Sequence, residues 1–163
     1  MSDDVLAESA DVAADQFAPP SPSPSSTALT LAAVAVGGAA GALARYELAS
    51  AIPVGGDGFP WSTLTINLSG AALLGFLLTL LLERRPPTRY LRPLLGTGFT
   101  GAYTTWSTFM VDADQLISHH HVALAVLYVL VSLVGGLAAV TLSVAGTRRL
   151  PRSRLTPVVA VRP

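Results

Sequence analysis

"GFTGAYTTWSTFM", residues 98–110, is the stretch on which the reading of this chain turns. It lies in an apolar region long enough for a membrane crossing, yet it sets two glycines, four threonines and a serine among aromatic rings. Lipid offers the backbone no hydrogen-bonding partner. A weakened helix at membrane depth therefore survives only where its freed groups meet protein or line a cavity. The hydroxyls have two readings. Either they bond back onto the preceding helical turn, or they line a path in which freed carbonyls hold a cation and hydroxyls donate to an anion.

The surrounding composition places the stretch in a membrane. Of 163 residues, 51% are hydrophobic and 12% charged, about half the charged share usual in soluble domains. The mean hydropathy is +0.55. There is no cysteine, which excludes disulfides, thiolate metal sites and cysteine nucleophiles. All ten basic residues are arginines, and nine of them fall in two clusters. With no basic patch elsewhere, nucleic acid is not an expected partner.

Residues 1–27 are acidic, then rich in proline and serine. Such a segment cannot bury enough apolar surface to offset its ordering entropy, so it is expected to be a disordered tail. Its acidic start is unlike that of a secretory signal. Residues 28–146 hold four apolar stretches, at about 28–52, 61–82, 90–111 and 121–146. Each is near the ~20 residues that span a bilayer core. The connections "PVGGDGFP", "ERRPPTR" and "DADQLISHH" are short, and an all-α membrane bundle of four transmembrane helices follows, with the third weakened by Pro93, Gly96, Gly98 and Gly101. Residues 147–163 form an arginine-rich tail. Arg84, Arg85, Arg89 and Arg92 lie between the second and third stretches, and Arg148, Arg149, Arg152, Arg154 and Arg162 follow the fourth. The opposite loops carry Asp57, Asp112 and Asp114 and no arginine. The positive-inside rule puts both termini in the cytoplasm of a multi-pass cell-membrane protein.

Polar residues inside such spans face protein or a water-filled path. Asn67, in "TLTINLSGAALLG" (63–75), either bonds a neighbouring helix or offers its amide hydrogens to an anion. Tyr128 and Ser132 are four apart on one helical face, which Gly136 continues; interhelical bonding and a track of donors both fit. Arg45 snorkels, pairs with Glu47 or Asp57, or lends positive potential to an entrance. His119, His120 and His121 resemble a metal tract, but neighbouring side chains diverge and no further ligands cluster, so solvated interfacial histidines are expected. The spans hold no central carboxylate, as ion-driven pumps require, and no nucleotide loop or hydrolase motif appears. Passive permeation remains, and no enzyme activity is expected.

Three motifs, "GGAAGALARY" (37–46), "TLTINLSGAALLG" (63–75) and "GFTGAYTTWSTF" (98–109), resemble the CrcB/Fluc fluoride channels, and the likeness covers about residues 30–146. The resemblance implies an antiparallel dimer with two pores, a broken third helix and a central structural Na+. It assigns fluoride contacts to Asn67, Trp106, Ser107, Thr108, Phe109, Tyr128 and Ser132, and sodium-binding backbone carbonyls to Gly101 and Thr104. The chemistry suits a small, heavily hydrated anion: neutral donors and the positive edges of aromatic rings replace its water without trapping it. Two positions depart from the family pattern. Trp106 stands where phenylalanine is usual, so a narrowed or inactive pore is one expectation. Gly136 stands where a serine is common.

Nine arginines on one side against none on the other fix a single orientation. The expected partner is thus a homologous subunit of opposite topology; an antiparallel homodimer is the other arrangement. The expected function is fluoride export through a membrane-embedded channel. Its alternative is a non-conducting subunit that completes a partner's pores.

Overall fold

The computed structural model describes residues 24–52, 58–84 and 89–150, and these are helical with no strand among them. Most of the tails and parts of the first two loops lie outside the described residues, Asp57 and Arg85 included. Helix α1 spans Pro24–Ala51 and α2 spans Trp61–Leu78, with a π-helical continuation over Thr79–Arg84. Helix α3 is a π-helical stretch, Arg92–Thr100, closing in a short α-turn, Gly101–Tyr103. Helix α4 covers Trp106–Ser118 and α5 covers Val122–Arg149. Among the described residues three helical segments, Ser25–Ala51, Trp61–Glu83 and Val122–Arg149, are long and apolar enough to cross a membrane.

Two boundaries differ from the sequence expectation. Helix α1 starts at Pro24, inside the segment expected to be a disordered tail; proline suits a first helical turn, and Thr30 Oγ1 bonds back to the Ser26 carbonyl at 2.9 Å. Residues 112–118, expected to be loop, continue α4 to Ser118 because Ala113 and Leu116 bury one face of it. The histidines then end the helix. His120 takes φ 63°, while the His120 and His121 amides bond the Ile117 and Leu116 carbonyls, a Schellman-type stop. His119 Nδ1 lies 2.7 Å from the Gln115 carbonyl oxygen. Among the described residues no group of three His, Asp or Glu side chains clusters to hold a metal.

The helices pack as two parallel pairs. In the α1–α3 pair Gly98 faces Val34, and Gly38 faces Gly98 and Ala102. A methyl on Gly37 would run into the Leu94 carbonyl oxygen, and one on Gly41 into that of Phe99. The small residues of "VGGAAGALA" thus permit backbone contact, as in other membrane helix pairs. In the α2–α5 pair Leu68 meets Gly135, Gly75 meets Val140, and Ser143 Oγ donates to the Ala72 carbonyl at 2.6 Å. Near its end Arg148 forms an ion pair with Glu83. That pair brings the beginning of the first arginine cluster beside the beginning of the second.

At the opposite end, Phe59, Leu64, Phe109, Ala113, Leu116, Ala125 and Tyr128 form the buried core. Elsewhere the outer faces stay apolar: Leu137 is 69% and Leu142 71% exposed. Helices this apolar all round belong in lipid or against another chain.

Candidate functional site: a neutral cavity beside Thr104 and Thr105

Between α3 and α4 the chain leaves the helix for two residues. Thr104 has φ −77°, ψ 158° and Thr105 has φ −142°, ψ 122°, both extended. Continuous helix would send the Thr105 amide to the Gly101 carbonyl. Instead it donates to Asn67 Oδ1 at 2.9 Å, while Asn67 Nδ2 donates to the Thr105 carbonyl at 3.0 Å. The side-chain amide thereby mimics a neighbouring peptide and satisfies both backbone groups of one residue. One Nδ2 hydrogen remains beyond this pair.

Thr105 also caps α4. Its Oγ1 accepts from the Thr108 amide at 3.2 Å and donates to Thr108 Oγ1 at 2.9 Å, the usual service of a threonine N-cap. Thr104 closes the turn before it, with its amide and its hydroxyl both on the Thr100 carbonyl at 3.1 and 3.0 Å. Tyr103 is held by Ser69, whose Oγ lies 2.8 Å from the phenol oxygen. Gly70 leaves the room that the Thr104 methyl occupies. The back-bonding reading of the hydroxyls holds for Thr100 and Thr104, while the Thr105 hydroxyl caps the next helix.

A cavity of about 310 Å³ adjoins this junction, lined among others by Asn67, Thr104, Thr105, Trp106, Phe109 and Ser132. Among the described residues no charged side chain lines it. The Ser132 hydroxyl is buried and has no hydrogen-bond partner among the described residues, an uncommon condition for a buried polar atom. Gly136 also lines the cavity, and a methyl placed on it would meet nothing within 4 Å. The Trp106 indole, 69% exposed, lies 5.2 Å from the Phe109 ring between centroids.

The other sequence candidates lie apart from the cavity. Ser107 and Thr108 are exposed on the first turn of α4. Tyr128 is fully buried among Phe59 and Phe109, with its hydroxyl 3.4 Å from Asp112 Oδ2. The face drawn through Tyr128, Ser132 and Gly136 therefore divides. Helical side chains lean toward the N-terminus, which carries the tyrosine ring into the core while the shorter Ser132 stays at the cavity. Arg45 is partly exposed on α1 and makes no ion pair with Glu47. Gly101 is exposed, and open space lies where its Cβ would be. Thr105 is the residue that sequence reasoning passed over. Its signal was a threonine directly before a helix with a second hydroxyl three residues on.

This geometry defines a class: a helical membrane protein with an uncharged, donor-bearing cavity between its helices. Residues 32–144 match the family described as CrcB-like protein, Camphor Resistance (CrcB), and the chain belongs to that family, one of ion channels and not of enzymes. It is 50% identical over 115 residues to Fluoride-specific ion channel FluC 3 of Streptomyces avermitilis, covering 71% of this chain and 56% of that relative. It is 48% identical over 120 residues to FluC 1 of Mycolicibacterium paratuberculosis, covering 74% of this chain and 91% of the relative. FluC 2 of Listeria innocua is 43% identical over 107 residues, 66% of this chain and 81% of its own length.

Proposed function

We propose that this chain is a subunit of a passive, fluoride-selective channel that lets cytoplasmic fluoride leave the cell and so confers fluoride resistance. The names of its relatives support the substrate. One observation carries the mechanism: the partnerless Ser132 hydroxyl on a cavity that no charge lines. Such a donor, with the spare Asn67 hydrogen and the ring edges of Trp106 and Phe109, replaces water around a small anion. A neutral wall also lets the ion go again. Fluoride efflux from liposomes containing the assembled channel tests the reading. Fluoride is released and chloride retained; vesicles that hold both ions reject it.

In this reading α3, the Thr104–Thr105 junction and α4 make one broken third crossing, and both termini lie in the cytoplasm. The open flank of Trp106 and the apolar outer faces meet a second subunit in an antiparallel dimer, with lipid around it. Arginine on one side only argues that the partner is a homologue of opposite charge bias. Expressing this chain alone and mapping its termini checks this, because comparable amounts of both orientations would favour a homodimer.

The junction also suits a structural Na+. The Thr105 amide is taken by Asn67 and the Thr108 amide by Thr105 Oγ1, so the Gly101 and Thr104 carbonyls lose the donors that continuous helix would supply. Freed carbonyls at a helix break are ligands for a hard cation. The Gly101 and Thr104 carbonyls would hold the ion, which would supply positive charge at the junction. A lower melting temperature in sodium-free buffer is the expected sign of it.

A second reading, a subunit that only completes its partner's pores, is favoured by Trp106, whose indole takes up more of the cavity than a phenyl ring would. Substituting Phe109 here and then in the partner separates the two. Flux that changes only with the partner's substitution supports the structural role.

A further inference from the structure

A second cavity, of about 430 Å³, lies toward the arginine-rich end of the bundle, away from Asn67 and Ser132. Its wall is built from five leucines, Leu74, Leu77, Leu78, Leu81 and Leu82, together with Pro93, Gly96, Thr97 and one cation, Arg92. Leu77 and Leu81 are buried at its back, while Leu78 and Leu82 stand exposed at its rim. A guanidinium against so much hydrocarbon needs an explanation, because a charge away from water is costly unless paired.

Arg92 is only partly satisfied. Its Nη2 donates to the Leu81 carbonyl at 3.0 Å. That carbonyl lies in the π-helical end of α2, where pairing five residues on would call upon Pro86, which has no amide hydrogen. Arg92 Nε is buried and has no hydrogen-bond partner among the described residues. Among the described residues the nearest acid along either segment, Glu83, is engaged by Arg148. Donor capacity thus remains for an anion, at one end of a greasy groove. Arg89 lies three positions before it, over the Tyr90 ring at 5.9 Å; a tyrosine and arginines here fit headgroup depth.

We propose that this cavity binds an anionic phospholipid of the leaflet at the arginine-rich end. The phosphate takes the free guanidinium donors of Arg92, and an acyl chain lies along the leucines. Arginine suits phosphate through charge-assisted bonds, and basic pockets between transmembrane helices bind such headgroups. The apolar share of the wall distinguishes a lipid from a free anion. The Arg92 bridge to Leu81 ties the ends of α2 and α3, so the bound lipid braces these two spans. Leu74 lines both cavities, but none of the polar residues of the first lines this one.

The test uses the full chain, assembled with its partner where one is required, in mild detergent. Native mass spectrometry and thermal unfolding are read with phosphatidylglycerol, phosphatidylcholine, or inorganic phosphate alone. Expected is a phosphatidylglycerol adduct with a raised melting temperature, weakened at least about fivefold in Arg92→Gln. Leu78→Trp, which fills the groove and leaves the charge, loses the adduct as well. If Arg92→Gln does not fold, the Leu78→Trp result decides alone. Equal retention of the two lipids, the same stabilisation by inorganic phosphate, or an undiminished adduct in either folded variant overturns the proposal.

Discussion

The α1–α3 seam and the Thr104–Thr105 junction both bring polar backbone into close contact, by opposite means. At the seam, Gly37, Gly41 and Gly98 remove side chains, and helical backbones whose hydrogen bonds stay internal touch directly. At the junction the helical bonds are given up, and Asn67 and the Thr105 hydroxyl take their places. The seam is held by shape and has no room for a methyl at Gly37, Gly41 or Gly98. The junction is held by a few named hydrogen bonds and has room beside it. A polar solute can be handled only at the second.

The largest expected effect breaks the seam. Gly37→Ala with Gly41→Ala forces two methyls onto carbonyl oxygens and costs about 3 kcal/mol or more. Size-exclusion profiles should lose the folded species. A double variant that melts like the parent would erase the distinction between the two regions.

Next comes the junction. Asn67→Ala strands the Thr105 amide and carbonyl together, at about 1–3 kcal/mol of stability, and fluoride efflux should cease. Thermal unfolding and efflux measured on one preparation check both outcomes. Normal flux in a folded Asn67→Ala protein would remove the amide from the path. Thr105→Ala costs about 1 kcal/mol through the lost N-cap, and Thr105→Ser restores most of it, since Asn67 still holds the backbone.

The smallest structural effect sharpens the comparison. Gly136→Ser adds a hydroxyl beside Ser132 where a methyl meets nothing within 4 Å. Stability should move by no more than about 0.5 kcal/mol, while fluoride flux rises. The same substitution at the seam, Gly41→Ser, should abolish folding.

These contrasts also show what the sequence makes legible. Apolar length and arginine placement locate the spans, because bilayer thickness and membrane insertion act on local composition. The glycines of α1 pack against α3, and that partner does not follow from their spacing. Asn67 stands out as a polar residue in a span, yet its partner lies 38 positions away. Only the tertiary arrangement shows that its amide holds backbone as well as facing a cavity. Asp112 and Asp114 suggested a loop, and the burial of Ala113 and Leu116 overrode them. Tyr128 and Ser132 share a helical face, but side-chain length and lean send them to different neighbours.

The exposed indole of Trp106 has a practical consequence. The chain contains two tryptophans, so Trp61→Phe leaves a single tryptophan, on the flank of the cavity, to be excited selectively. Docking of a second subunit against that flank would strip solvent from the ring and shift its emission to the blue. Mixing two separately purified halves could then be followed in real time by light alone, with no ion gradient and no label.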